Sequence, residues 1–280
     1  MREIRVDLIA NAVSELCQSV NYELSPDMER AVGKARLEEK SEVGKNVLGV
    51  LEDNLAVAKD KLIPICQDTG MAVVFLDVGQ EVSFCGGYIE DAVNEGVRRG
   101  YTEGYLRKSV VSDPFERVNT GDNTPAIIHT RIVPGDKVKI TVAPKGFGSE
   151  NMSRIFMLKP SDGAEGVKRS VVETVRAAGP NACPPLVVGV GVGGDFELCA
   201  IMAKRALTRE VGRASDDEKI AALEREILDE INALKIGPAG LGGDTTALAV
   251  NIETYPTHIA GLPCAVNICC HVNRHASVEL

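Results

Sequence analysis

Apolar residues recur at three- and four-residue spacing from the start of the chain, at Ile4, Leu8, Ile9, Ala12, Val13, Leu16 and Val20. That repeat predicts an amphipathic helix. Ser25-Pro26 opens a second helix, since proline is tolerated in a first turn. Residues 42–59 predict a third, with Val43, Val47, Val50, Leu51, Leu55 and Ala58 on its apolar side. From residue 71 the pattern changes. Residues 71–78 and 81–85 predict strands and 89–99 a helix. Residues 126–133 and 137–143 predict paired strands around the turn Pro134-Gly135-Asp136. Helices follow at 163–177 and 196–207, and Ser215 with Glu218 forms a capping box for a helix reaching about Leu234. Residues 186–192, 245–252 and 265–269 predict the remaining strands. No repeat, low-complexity linker or domain boundary appears, so residues 1–280 are expected to form a single α+β domain. Its helical N-terminal region precedes mixed or antiparallel sheets packed with helices, with the motifs on loops.

Hydrophobic residues make up 44% of the 280-residue chain and aromatic residues only 4%. The length allows a substantial core, built from Val, Ile, Leu and Ala. A net charge of −9 without a basic run excludes the electrostatic signature of a nucleic-acid or anionic-membrane binder. Arg2, Glu3, Arg5 and Asp7 break any apolar stretch at the N-terminus, so no export signal is expected. A cytoplasmic location follows, in which the eight cysteines remain thiols.

Three of those thiols stand in glycine- and proline-rich contexts. They are Cys66 in Pro64-Ile65-Cys66-Gln67-Asp68-Thr69-Gly70, Cys183 in Cys183-Pro184-Pro185, and Cys270 with Arg274 four residues on. Separations of 117 and 87 residues exclude a local metal knuckle. Thiolates from distant loops suit an iron–sulfur cluster that leaves one iron without a protein ligand, able to act as a Lewis acid. Cys17, Cys85 and Cys199 read as small buried hydrophobes. Cys264, Cys269 and Cys270 crowd the C-terminal motif, and neighbours in a strand point to opposite faces, so Cys269 and Cys270 should not both reach one metal. Zinc is the alternative metal, with His271 and His275 near Cys270, but Cys66 and Cys183 have no second ligand close in sequence. Gly189-Val190-Gly191-Val192-Gly193-Gly194 fits a dinucleotide-binding fingerprint and makes an NAD-dependent oxidoreductase the rival enzyme class. However, the segment after the following helix does not read as the required strand. His129 and His258 read as structural.

These contexts, in this order, resemble class I (iron–sulfur) fumarate hydratases, above all the α subunit of the two-subunit form. L-tartrate dehydratase α subunits share the pattern. The resemblance runs through Asp53-Asn54, residues 64–70, 118–125, 145–149, 183–185, 191–194 and 237–243 to Cys270, nearly the whole chain. It implies a [4Fe-4S] cluster on Cys66, Cys183 and Cys270. It also implies substrate contacts from Gln67, Arg107 and Gly148, and a part for Asp68 in proton transfer. The implied reaction is the reversible hydration of fumarate to L-malate, with dehydration of L-tartrate as the alternative. Single-chain members continue into a second domain carrying further site residues. The chain is therefore expected to need a β subunit, forming a hetero-oligomer.

Overall fold

The computed structural model describes all 280 residues, Met1–Leu280. In chain order the first elements are β1 (Arg2–Arg5), α1 (Val6–Tyr22), α2 (Pro26–Glu38), α3 (Glu42–Lys61), β2 (Met71–Gly79), β3 (Val82–Cys85) and α4 (Ile89–Glu103). Then come β4 (Ile127–Val133), β5 (Val138–Lys145), α5 (Phe147–Glu150), β6 (Arg154–Leu158), α6 (Gly163–Ala178) and β7 (Leu186–Gly194). The last are α7 (Phe196–Ala206), α8 (Glu218–Ala233), β8 (Ala247–Thr257), β9 (Leu262–Cys269) and β10 (Ala276–Glu279). The architecture is mixed helix and sheet, as the pattern predicts. The residues group into two compact units. One holds Met1–Ser25, Asn54–Phe147 and Arg274–Leu280, and the other Pro26–Asp53 and Gly148–Asn273.

The first unit is built on a four-stranded sheet of order β10-β5-β2-β4. β2 is nearly all apolar because it is enclosed on both faces and flanked on both sides. Ala72, Val74, Leu76 and Val78 join Ile9, Val13 and Leu16 of α1 and Val93, Val97 and Tyr101 of α4 in one core. On the other face His129 stacks on Phe75, ring centroids 5.2 Å apart, which suits a structural histidine. α1 and α4 pack through small residues. A Cβ on Gly96 would stand 2.6 Å from the Ala10 carbonyl oxygen, and one on Gly100 2.8 Å from the Cys17 Cβ. These contacts permit only glycine and hold the two helices in close approach.

Two expectations change here. Ile4 lies in phase with the helical repeat, yet it belongs to β1, where it pairs with Phe84 of β3 and is 3% exposed. Buried strand pairing overrides the local helical spacing. Strands β4 and β5 are not partners either. β4 pairs with β2 in parallel and β5 pairs with β2 antiparallel, so β2 lies between them. The turn Pro134–Asp136 passes over the end of β2, with Gly79 N donating to Lys137 O at 2.7 Å and Gln80 N to Val133 O at 2.8 Å. An apolar strand such as β2 needs a partner on each edge, and the two chain segments supply them.

The second unit contains a sheet of order β6-β9-β7-β8. Leu186, Val188 and Val190 of β7 face Val171 and Val175 of α6 and Ile227 and Ile231 of α8 in one apolar cluster. The glycines of the dinucleotide-like fingerprint alternate to the opposite face. A Cβ on Gly189 would lie 2.1 Å from the Ala203 carbonyl oxygen, and one on Gly191 2.0 Å from that of Cys199. The role of Gly189 and Gly191 is to admit the backbone of α7. The helix after them ends in turns rather than a strand, as the sequence indicates. The cap of α8 also differs from expectation. Asp217 accepts from Lys219 N and Ile220 N, and Ser215 instead accepts from Asp217 N. Asp217 stands nearer the first turn and carries a charge that favours a helix N-terminus.

Candidate active site

In the first unit, Cys66, Gln67 and Asp68 lie on an irregular loop fixed at both ends. Ile65 N donates to Asn21 O of α1 at 2.9 Å, and Asn54 Nδ2 donates to Ile65 O at 2.9 Å. Past the cysteine, the Tyr101 hydroxyl of α4 donates to Thr69 O at 2.8 Å and Gly70 O at 3.0 Å. Gly70 has φ +78°, a conformation glycine adopts without strain. Both oxygens of Asp68 are held: Oδ1 accepts from Gly70 N and Oδ2 from Phe147 N, each at 2.9 Å. Its carbonyl accepts from Arg274 Nη2 at 2.5 Å. The carboxylate is therefore immobilised, yet each oxygen retains a second lone pair. Gln67 is exposed, and Cys66 and Asp68 are half-buried.

The segment carrying Arg107 is tied to the same loop. Thr69 Oγ1 donates to Arg107 O at 2.9 Å. Asn123, fully buried, accepts from Ser109 N at 2.7 Å and donates to Gly70 O at 3.1 Å. That explains why Asn123 stands in the 118–125 motif: one amide joins two loops. Arg107 itself is exposed. Arg274 is the opposite case, 4% exposed, with Nε and Nη1 lacking any acceptor.

In the second unit, Cys183 is exposed and left-handed at φ 54°, a conformation that costs a non-glycine residue about 1–3 kcal/mol. His271 holds it there, with its Nδ1 3.0 Å from Cys183 O and its N–H donating to the same oxygen at 3.4 Å. Cys270 precedes His271, half-buried, one residue beyond the end of β9. The Cys183 and Cys270 segments are thus brought together. The glycine-rich 237–243 segment supports the first of them, Ala239 N donating to Pro184 O at 2.9 Å. It is anchored in turn by Glu39, 2% exposed, whose carboxylate accepts from the backbone N–H of Lys40, Ser41, Asp244 and Thr245. Burial alone would raise the Glu39 pKa. The backbone donors, led by Asp244, outweigh it and hold the group at about 2. Gly148 lies on α5, exposed, and a Cβ there would meet only Asn181 O at 3.9 Å. Packing within the chain does not require glycine at that position.

None of the eight cysteines forms a disulfide. Cys17, Cys199, Cys264 and Cys269 are buried and Cys85 is half-buried. Burial pushes the Cys17 and Cys264 thiols up to about 12. A hydrogen bond with Cys269, together with burial, also raises the Cys270 thiol well above its usual range. Within either unit, no group of three or more His, Cys, Asp or Glu side chains converges on a metal position. Sequence reasoning did not single out Tyr101, Asn123 or Glu39 as supports. Their roles arise from hydrogen bonds spanning up to 206 residues, which local pattern does not carry. No helix is long and apolar enough to cross a membrane.

Residues 10–279 match the family described as fumarate hydratase (Fumerase). A Methanocaldococcus jannaschii protein named "Putative L(+)-tartrate dehydratase subunit alpha" is 42% identical over 274 residues, covering 96% of each chain. The "L(+)-tartrate dehydratase subunit alpha" of Escherichia coli K12 is 30% identical over 277 residues, covering 98% of this chain and 91% of its own. That of Shigella sonnei shows the same figures of 30% over 277 residues. The clamped Cys66–Asp68 loop and the joined Cys183 and Cys270 segments thus lie within one family match that takes in all but a few residues of the chain: it belongs to the fumarate hydratase (Fumerase) family of hydro-lyases.

Proposed function

We propose that this chain is the cluster-bearing subunit of a hydro-lyase that reversibly hydrates fumarate to L-malate. In this reading, residues 1–280 act as one cytoplasmic cluster-binding module, with Cys66, Cys183 and Cys270 as thiolate ligands of a [4Fe-4S] group. The donor chemistry suits that group. The three thiols sit on loops rather than in core elements, and Arg274 offers buried N–H groups that no atom of the chain accepts. When bound, the group supplies a Lewis acid for the substrate hydroxyl.

The chain's own residues supply part of the substrate site. The exposed guanidinium of Arg107 takes one carboxylate of the diacid, a planar donor facing a planar acceptor. The backbone at Gly148, open to approach, contacts the substrate, and Gln67 lines the same site. Asp68 takes part in moving the C3 proton through the second lone pair of its carboxylate oxygens. The observation that carries the reading is the immobilised Asp68 two residues from Cys66. A fixed carboxylate beside a metal-ligand thiol can assist the transfer of a proton that a base of the partner subunit abstracts.

A β subunit is proposed to complete the site and form a hetero-oligomer, and the names of the relatives as α subunits support this. Those names also favour a second reading, L(+)-tartrate as substrate. The experiment is anaerobic purification of the chain with and without its β partner, assayed on fumarate and L(+)-tartrate. The chain alone should bind iron and sulfide but turn over little, since a missing general base costs about 10²–10⁴ in rate. The pair should form malate. Full activity from the chain alone would refute the half-site reading, and activity on tartrate only would establish the second.

A further inference from the structure

Arg274 is 4% exposed and enters no ion pair; its Nε and Nη1 have no acceptor, and only Nη2 is satisfied, by Asp68 O at 2.5 Å. A buried cation with unmade hydrogen bonds destabilises a fold unless an anion compensates it. No carboxylate of the chain pairs with it. A diacid that enters and leaves has the exposed Arg107 to meet. Arg274, enclosed, is suited only to a group that stays.

We propose that Arg274 is a positioning residue, the fixed countercharge for the anionic iron–sulfur group and its thiolates, which also locks the peptide of Asp68. The inference rests on the iron–sulfur reading above. It goes further by giving this guanidinium an electrostatic task that the bare chain leaves unfilled. The charge is then a burden on the metal-free chain and an asset to the loaded one.

That inversion is testable without turnover. The full chain is prepared anaerobically as wild type, Arg274→Met and Arg274→Lys, each metal-free and after reconstitution with iron and sulfide. Thermal midpoints are measured in both states, together with the rate of iron loss to a chelator. The wild-type midpoint should rise on loading. Metal-free Arg274→Met should melt at or above the wild type, gain less than half the wild-type rise, and lose iron about tenfold faster, the scale on which groups supporting a ligand act. Arg274→Lys keeps the charge and should recover most of the rise. Two results overturn the proposal. One is a Met variant that loads and retains iron as the wild type does. The other is a metal-free Met variant that is unfolded or markedly less stable, which makes Arg274 an ordinary structural residue. If the wild type itself takes up no iron and sulfide, the cluster reading fails first and this inference with it.

Discussion

Replacing Glu39 by Gln removes the charge that holds the end of the 237–243 segment. The carboxylate accepts from Asp244 N at 2.8 and 2.9 Å, from Thr245 N at 2.9 Å and from Lys40 and Ser41 N at 3.0 Å. An amide cannot repeat this, because its NH2 group would face backbone donors. Each pKa unit corresponds to about 1.4 kcal/mol. Lowering the group from the ordinary 4.5 to about 2 therefore contributes about 3 kcal/mol of stability at neutral pH. The folded pKa is depressed, so the contribution is complete above about 4.5 and is lost as pH falls toward 2. Near pH 3 about 2 kcal/mol of it should be gone. Urea unfolding of wild type and Glu39→Gln at both pH values isolates the effect. The gap between them should narrow from about 3 to about 1 kcal/mol. A gap that stays constant with pH, or is below about 1 kcal/mol at neutral pH, would refute the reasoning.

Serine in place of Cys66, Cys183 or Cys270 should each remove most of the iron and sulfide taken up on anaerobic reconstitution, whereas Cys199→Ala should retain both; metal and sulfide analysis decides it. Asn123→Ala leaves Ser109 N without its acceptor and removes one of the two donors to Gly70 O, the Tyr101 hydroxyl remaining, and should cost about 1–3 kcal/mol by denaturant unfolding. With the β subunit present it should also raise the KM for the diacid, because the Arg107 segment loosens. Arg107→Ala should raise that KM by the equivalent of about 1.5–3 kcal/mol, with a smaller effect on kcat, measured by steady-state kinetics.

Legibility in the sequence followed the range of the interaction that made each feature. The helix starting at Pro26 and the long helix of residues 42–61 were readable because spacing and proline position act within one turn. The loops of Cys66 and Cys183 were readable from their glycines and prolines. β10 was not, because a short strand whose exposed and half-buried positions alternate carries little apolar signal. The Pro134-Gly135-Asp136 turn suggested a hairpin, and only the buried β2, some sixty residues upstream of that turn, explains why its two strands part. The fingerprint glycines matched a dinucleotide motif, but Gly189 and Gly191 serve close packing. At those two positions what approaches is the backbone of α7. At the candidate site, the chemistry-bearing residues were nameable in advance, but their holders were not. Tyr101 and Asn123 look like an ordinary core aromatic and an ordinary loop amide until their distant partners are known.

The glycine seam between α1 and α4 makes helix spacing into a ruler for the Cys66 loop. One end of that loop hangs from Asn21 of α1 and the other from Tyr101 of α4, so its span is set by the interaxial distance. A single methyl at Gly100, 2.8 Å from the Cys17 Cβ and the Ser14 carbonyl oxygen, must push the helices apart. The stretched loop would then draw Asp68 off the amides of Gly70 and Phe147. A substitution that touches none of Cys66, Cys183 and Cys270 would thereby act as an active-site mutation, read out, with the β subunit present, as lost turnover in a chain that still folds.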